Sequence, residues 1–203
     1  MILQPVVFIV GGDCDARRMQ VLLLESGGLH QEAFDNAGDF LLQHRHDPAG
    51  CMLLDMDTPG ANGVELLERL RCAYPSIPII VLCSAATTRT VVRAMKLGIV
   101  DFLEKPADPG ELLRTVHQAL EQDARRRARE SLRRPVIAKL DTLTAREREL
   151  LELLVQGFSS KQIAGQLAIA IKTVENHRSK LMQKMGAINI ADLTRMTMIA
   201  RAA

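Results

Sequence analysis

Four short apolar runs punctuate the front half of the chain. Residues 5–10 read Pro-Val-Val-Phe-Ile-Val and end at Gly11-Gly12. Residues 51–55 read Cys-Met-Leu-Leu-Asp, residues 78–84 Pro-Ile-Ile-Val-Leu-Cys-Ser, and residues 100–104 a weaker Val-Asp-Phe-Leu-Glu. Continuous apolar runs of this length mark parallel strands buried on both faces. The stretches between them change period. Residues 17–26 carry Leu22, Leu23 and Leu24 and stop at Gly27-Gly28. Residues 62–74 open with Asn-Gly-Val-Glu, an N-cap with a Glu three places on, and repeat Val64, Leu67, Leu70 and Ala73 at helical spacing. Residues 89–97 end at Gly98, and Asp108-Pro109 caps a helix that begins with Leu112, Leu113 and Val116. Strand alternating with helix predicts an open, doubly wound α/β parallel sheet, with its site at the carboxyl ends of the strands. Asp13, Asp55, Ser84 and Lys105 fall at those ends, as do Cys14 and Cys83.

From Glu111 the helical pattern continues through an Arg-rich stretch with no Gly or Pro until Pro135. Residues 138–203 then read as four helices. Thr144-Ala-Arg-Glu147 and Ser159-Ser-Lys-Gln162 are capping boxes for the first two. A tight connection at Ala168, Ile169 and Ala170 leads to a third helix over residues 172–185, and a fourth carries Ile190, Leu193, Met196 and Ile199. At 100° per residue the third helix gathers Val174, Leu181 and Met185 on one stripe. Its opposite face shows Lys172, Glu175, Asn176, Ser179 and Gln183. A short helix, a tight turn and a helix with a polar outer face suit a helix-turn-helix, and an ordinary amphipathic surface helix fits the same pattern equally well. Asn reads adenine in the major groove and Glu accepts from cytosine N4, whereas Lys161, Lys172, Arg178 and Lys180 suit phosphates.

Charge sharpens the division. Residues 1–120 hold 10 basic against 15 acidic side chains, residues 121–137 six against three, and residues 138–203 ten against six. The expected organisation is therefore an acidic domain over 1–120, a basic helical linker over 121–137, and a basic domain over 138–203 that is either a candidate for polyphosphate contact or a solvated surface of uneven charge. Composition removes several classes. Aromatics are 3% with no Trp, against a base-stacking single-strand binder. No run of 18 apolar residues predicts a membrane span, and the start lacks a basic n-region. The four Cys form no C-x-x-C pair or zinc spacing, so a reduced, cytoplasmic protein is expected, its thiols read as packing groups. Gly11-Gly12 opens no G-x-G-x-x-G or P-loop, so nucleotide binding is unsupported. No general-base constellation is visible, so an enzyme is not expected.

Two sets of motifs resemble a known family. Cys-Met-Leu-Leu-Asp55-x-x-x-Pro59-Gly60-x-x-Gly63, with Ala94-Met95-Lys96-x-Gly98-x-x-Asp101-Phe102-x-Glu104-Lys105-Pro106, is similar to the receiver domain of two-component response regulators. Leu143-Thr144-x-Arg146-Glu147, Gly157, Lys161-x-Ile163-Ala164 and Lys172-Thr173-Val174-Glu175-x-His177-x-x-x-Leu181-x-x-Lys184-Met185 resemble the LuxR-type helix-turn-helix. Together they resemble a FixJ/NarL-type response regulator. The resemblance implies a flavodoxin-like sheet of five strands followed by an all-α four-helix domain. It implies phosphoryl transfer from a histidine kinase to Asp55, a phosphate partner in Lys105, and a switch through the end of the fourth strand, here Cys83 and Ser84, to the ring of Phe102. It implies duplex DNA contact through Lys161, Lys172, Thr173, Glu175, Asn176, His177, Arg178, Ser179 and Lys180, and a homodimer, with Leu193 and Met196 of the fourth helix as candidate interface residues that plain core packing explains almost as well.

The departures from the family matter as much. Its Mg²⁺-holding acidic pair is replaced by Gly11-Gly12, leaving Asp13, Asp55 and Asp57 as a weakened metal set. Cys83 stands where the family has a hydroxyl, and S–H is a weak donor. Asp57 adds negative charge where a basic or amide residue is usual. Ala170 stands at the N-cap of the third helix, where the family usually has Ser, and a lost cap costs ~1 kcal/mol. Two mechanisms stay open: Asp55 phosphorylation over a makeshift Mg²⁺ site, or, favoured by these departures, a degenerate receiver that works independently of phosphorylation. A partner-binding signalling adaptor with weak DNA binding is the alternative from another class.

Overall fold

The computed structural model describes residues 4–44, 47–57 and 62–201. Pro59 and Gly60 of the receiver-like motif lie outside the described residues. The chain divides into two compact units, residues 1–126 and 127–203.

The first unit is a five-stranded parallel sheet, in order β2-β1-β3-β4-β5: β1 (Val6–Val10), β2 (His30–Phe34), β3 (Gly50–Asp55), β4 (Ile79–Cys83) and β5 (Asp101–Glu104). Helices α1 (Cys14–Ser26), α2 (Ala37–Gln43), α3 (Gly63–Ala73), α4 (Thr88–Lys96) and α5 (Pro109–Asp141) follow the strands in turn. Side chains alternate between two cores, as the period of two in a strand demands. Phe8, Val10, Met52, Leu54, Ile79 and Val81 meet Leu67, Leu70 and Ala94 on one face. Val7, Ile9, Cys51, Leu53, Ile80 and Leu82 meet Leu24, Leu112 and Val116 on the other. This double burial explains why three strands read as continuous apolar runs. β2 is different: it lies at the sheet edge, and of His-Gln-Glu-Ala-Phe only Phe34 is buried.

Helix α5 runs for 33 residues with Pro135 inside it. An interior Pro costs about 3 kcal/mol. The final turns are nonetheless held: Val136 is buried, Leu140 packs on the same core, and Lys139 donates to the Met185 carbonyl at 2.9 Å. The Arg-rich stretch is likewise not only a solvated surface. Arg126 pairs with Asp123 at 2.6 Å and Asp47 at 2.8 Å, and the buried Asp123 accepts the Gly50 N–H that opens β3.

In the second unit, α6 (Ala145–Val155), α7 (Ser160–Gln166), α8 (Ile171–Met185) and α9 (Ile190–Arg201) enclose a core of Leu150, Leu154, Ile163, Val174, Leu181, Met185 and Leu193. Each fully buried aliphatic side chain contributes about 1.5–3 kcal/mol. Both expected capping boxes are present, Thr144 with Glu147 and Ser159 with Gln162. Glu147 also accepts from Lys184 at 2.6 Å while buried, so the Lys184 hydrogen bond and the Thr144 N–H hold its carboxyl down at about 2. Ala168 adopts φ 51° in the turn between α7 and α8, and Gly186 closes α8 in the left-handed conformation at φ 63°.

Candidate functional site

The strand ends of the first unit gather four of the expected receiver residues around a fifth. Asp55, the last residue of β3, is buried. Its Oδ2 receives Lys105 Nζ at 2.6 Å and its Oδ1 accepts the Asp57 N–H at 2.9 Å. Lys105 also reaches Asp57 Oδ2 at 2.9 Å. Asp57 Oδ2 accepts both the Ser84 N–H and the Ser84 hydroxyl at 2.7 Å, while Cys83 Sγ donates to Asp57 Oδ1 at 3.3 Å. Burial pushes the Asp57 carboxyl up, but the hydrogen bonds from Ser84, Lys105 and Cys83 together prevail and hold it at about 2. Burial leads in pushing the Cys83 thiol up, so it stays protonated and able to donate. Burial alone would lower the Lys105 ammonium, but its bonds to Asp55 and Asp57 raise it. Phe102 is half-buried against the core beside β4.

The Gly11-Gly12 turn shapes the other wall. Both glycines adopt positive φ, 85° and 77°. A Cβ on Gly12 would meet Asp55 Oδ2 at 2.6 Å, so only a glycine lets the turn approach this carboxylate. Arg17 donates to the carbonyls of Gly11 and Gly12 and pairs with Asp35 at 2.6 Å, a role that spacing alone did not reveal.

These residues do not fit the Mg²⁺ that the receiver fold implies. The structure does not gather Asp13 with Asp55 and Asp57 as a metal set. Asp13 is the exposed N-cap of α1, accepting the Ala16 N–H at 2.7 Å. Among the described residues no three His, Cys, Asp or Glu side chains group closely enough to hold a metal ion. Mg²⁺ asks for near-octahedral oxygen ligands, and the two carboxylates that do converge, Asp55 and Asp57, are bridged by an ammonium instead. Cys14 is exposed and Cys83 buried, and both thiols are free.

In the second unit α8 presents the expected faces. Val174, Leu181 and Met185 are fully buried, whereas Lys172, Glu175, Asn176, Ser179 and Lys180 are exposed. Thr173, His177 and Arg178 lie half-buried along the flanks, and Lys161 is exposed on α7. Among the described residues the side chains of Asn176, Arg178, Ser179, Lys180 and Lys161 make no hydrogen bond, and Lys172 and Glu175 share only a 3.6 Å ion pair. Ala170 supplies no side-chain cap to α8.

A parallel receiver sheet followed by a helix-turn-helix unit defines a response regulator. Residues 7–117 match the response regulator receiver domain, and residues 141–197 match the bacterial regulatory proteins of the luxR family. The chain is similar to the transcriptional regulatory protein FixJ of Bradyrhizobium diazoefficiens, at 33% identity over 96% of this chain and 95% of that one. It is 35% identical to the C4-dicarboxylate transport transcriptional regulatory protein DctR of Rhodobacter capsulatus, over 94% and 98% of the two chains. A solved structure of the response regulator StyR superposes with a TM-score of 0.82 at 37% identity, covering 96% of this chain and 98% of that one. The chain belongs to the FixJ/NarL-type two-component response regulators, transcriptional regulators with a LuxR-type DNA-binding domain. Among the described residues no helix is long and apolar enough to cross a membrane.

Proposed function

We propose that this regulator binds duplex DNA as a homodimer through α8 and that its receiver works without accepting a phosphoryl group from a kinase. The domains are read as 1–120 for the receiver, 121–137 for the linker and 138–203 for DNA binding, in a cytoplasmic protein. The observation that carries the DNA reading is the exposed, internally unbonded polar face of α8 above a fully buried apolar stripe. Glu175, Asn176 and Ser179 face base edges, while Lys161, Lys172, Arg178 and Lys180 bear on phosphates and fix register. Thr173 and His177 border that face. Two half-sites lie about one helical turn apart.

The receiver reading rests on Gly11-Gly12 and on Lys105 bridging Asp55 and Asp57. A phosphoryl group on Asp55 brings about −2 charges against Asp57, with no acidic pair to hold a neutralising cation. Loss of one preorganised charge stabiliser costs about 3–4 kcal/mol in phosphoryl-transfer-type chemistry.

Operator fragments selected from random duplexes provide the test. Affinity is measured at two salt concentrations for the full chain and for Asp55→Ala, with and without the phosphodonor phosphoramidate. The expected outcome is a steep salt dependence with no phosphodonor response. No DNA binding at any salt favours the partner-binding adaptor. An Asp55-dependent gain in affinity with phosphoramidate favours a conventional, phosphorylated regulator.

A further inference from the structure

Asp57 does more than fail to help. At the mouth of Asp55 stand a backbone N–H and a hydroxyl from Ser84, a thiol from Cys83 and an ammonium from Lys105. All four donate to the one carboxylate of Asp57, over 2.7–3.3 Å. Convergent donors from two separate segments, the ends of β4 and β5, constitute an oxyanion site, and the loop after β3 supplies the carboxylate that fills it. Its occupant is already part of the chain.

We propose that the Asp57 carboxylate is a built-in ligand of this oxyanion site, filling the donors that any phosphate-class anion beside Asp55 would need. The proposal rests on the reading that the receiver accepts no phosphoryl group, and it supplies the reason beyond a missing metal. Two features fit it. The Asp57 N–H is itself held by Asp55 Oδ1 at 2.9 Å, which fixes the loop so that the carboxylate faces Ser84. Cys83, a poor donor to an external anion, suffices for a tethered one, because tethering removes most of the entropy cost of bringing the anion in. The site is thereby held in a single anion-bound arrangement, independent of any donor molecule.

The test follows the Ser84 amide by NMR in the full chain. In Asp57→Ala its hydrogen exchange should accelerate about ten- to a hundredfold, the effect of losing a charge-assisted hydrogen bond. In Asp55→Asn/Asp57→Ala, which also removes the neighbouring negative charge, inorganic phosphate should bind saturably and slow that exchange again. The native chain should show neither change. Asp57→Asn, which keeps the size and one acceptor, should be intermediate and serves if the Ala variant does not fold. Unchanged Ser84 exchange in the Asp57 variants overturns the proposal, as does a phosphate response equal in native and double variant. Those results leave the phosphorylation-independent reading standing. A phosphoryl group gained at Asp55 by the native chain from phosphoramidate, with changed operator affinity, overturns that reading and this proposal together.

Discussion

At the strand ends of the first unit, Lys105 sits 2.6 Å from Asp55 and 2.9 Å from Asp57, and Ser84 and Cys83 complete the set. On α8 of the second unit, Asn176, Ser179 and Lys180 extend into solvent without a side-chain partner among the described residues. The polar groups are similar in kind and opposite in state. Those of the first unit satisfy one another, so a ligand there must break existing bonds before it forms new ones. Asn176, Ser179 and Lys180 of α8 have only water to lose, and Lys172 and Glu175 only an exposed 3.6 Å ion pair, so new partners there add bonds at small desolvation cost. The difference teaches that a familiar set of residue types is not a working site until its hydrogen bonds are accounted for.

The largest effect that would break this contrast lies on α8. Replacing Asn176 and Lys172 together by Ala should weaken operator binding on the order of a hundredfold, from a lost base contact of about 1–3 kcal/mol and a lost phosphate contact. The Lys172→Ala change alone should reduce the salt slope by about 1. Unchanged occupancy in a gel shift would remove α8 from the interface. Next comes Lys105→Ala, which leaves two carboxylates facing each other. Discounting for partial exposure, it should destabilise the first unit by about 2–3 kcal/mol in urea unfolding.

Glu147→Gln probes a network in the second unit that resembles the closed one of the first. Because the folded Glu147 is held at about 2, below its ordinary value near 4.5, its stabilisation is full above about pH 4.5 and is lost as pH falls toward 2. The variant should be about 2 kcal/mol less stable at neutral pH, and the gap to the native chain should close across that acid window. The smallest effect is a gain: Ala170→Ser should stabilise α8 by ~1 kcal/mol by capping an exposed N–H. Thermal unfolding measures it, and operator affinity should not fall.

The elements that bury both faces were legible, because β1, β3 and β4 leave unbroken apolar runs. The edge strand β2 was not, since only Phe34 of its five residues needs to be apolar, and α2 after it was missed with it. The continuation of α5 to Asp141 was not legible, because Val136 and Lys139 anchor the helix through partners distant in the chain. For the candidate sites, the division of α8 into polar and apolar faces followed from 100° periodicity, whereas its reading as a recognition helix came from the LuxR-like motifs. The meeting of Asp55 with Lys105 came from family-like motifs. The roles of Asp13 as a helix cap, of Arg17 as a brace for two carbonyls and of Asp123 under β3 depend on side-chain directions that spacing does not encode.

The glycine at position 12 sets a steric limit on this pocket. Placing an acid there asks a backbone at φ 77° to accept a side chain and asks Asp55 to vacate space held at 2.6 Å. That movement would in turn release Lys105. A side chain at position 12 therefore strains the turn and displaces the Asp55 carboxylate at once. Position 12 thus acts as a spacer, its missing side chain setting how near the backbone of one strand end comes to the carboxylate of the next.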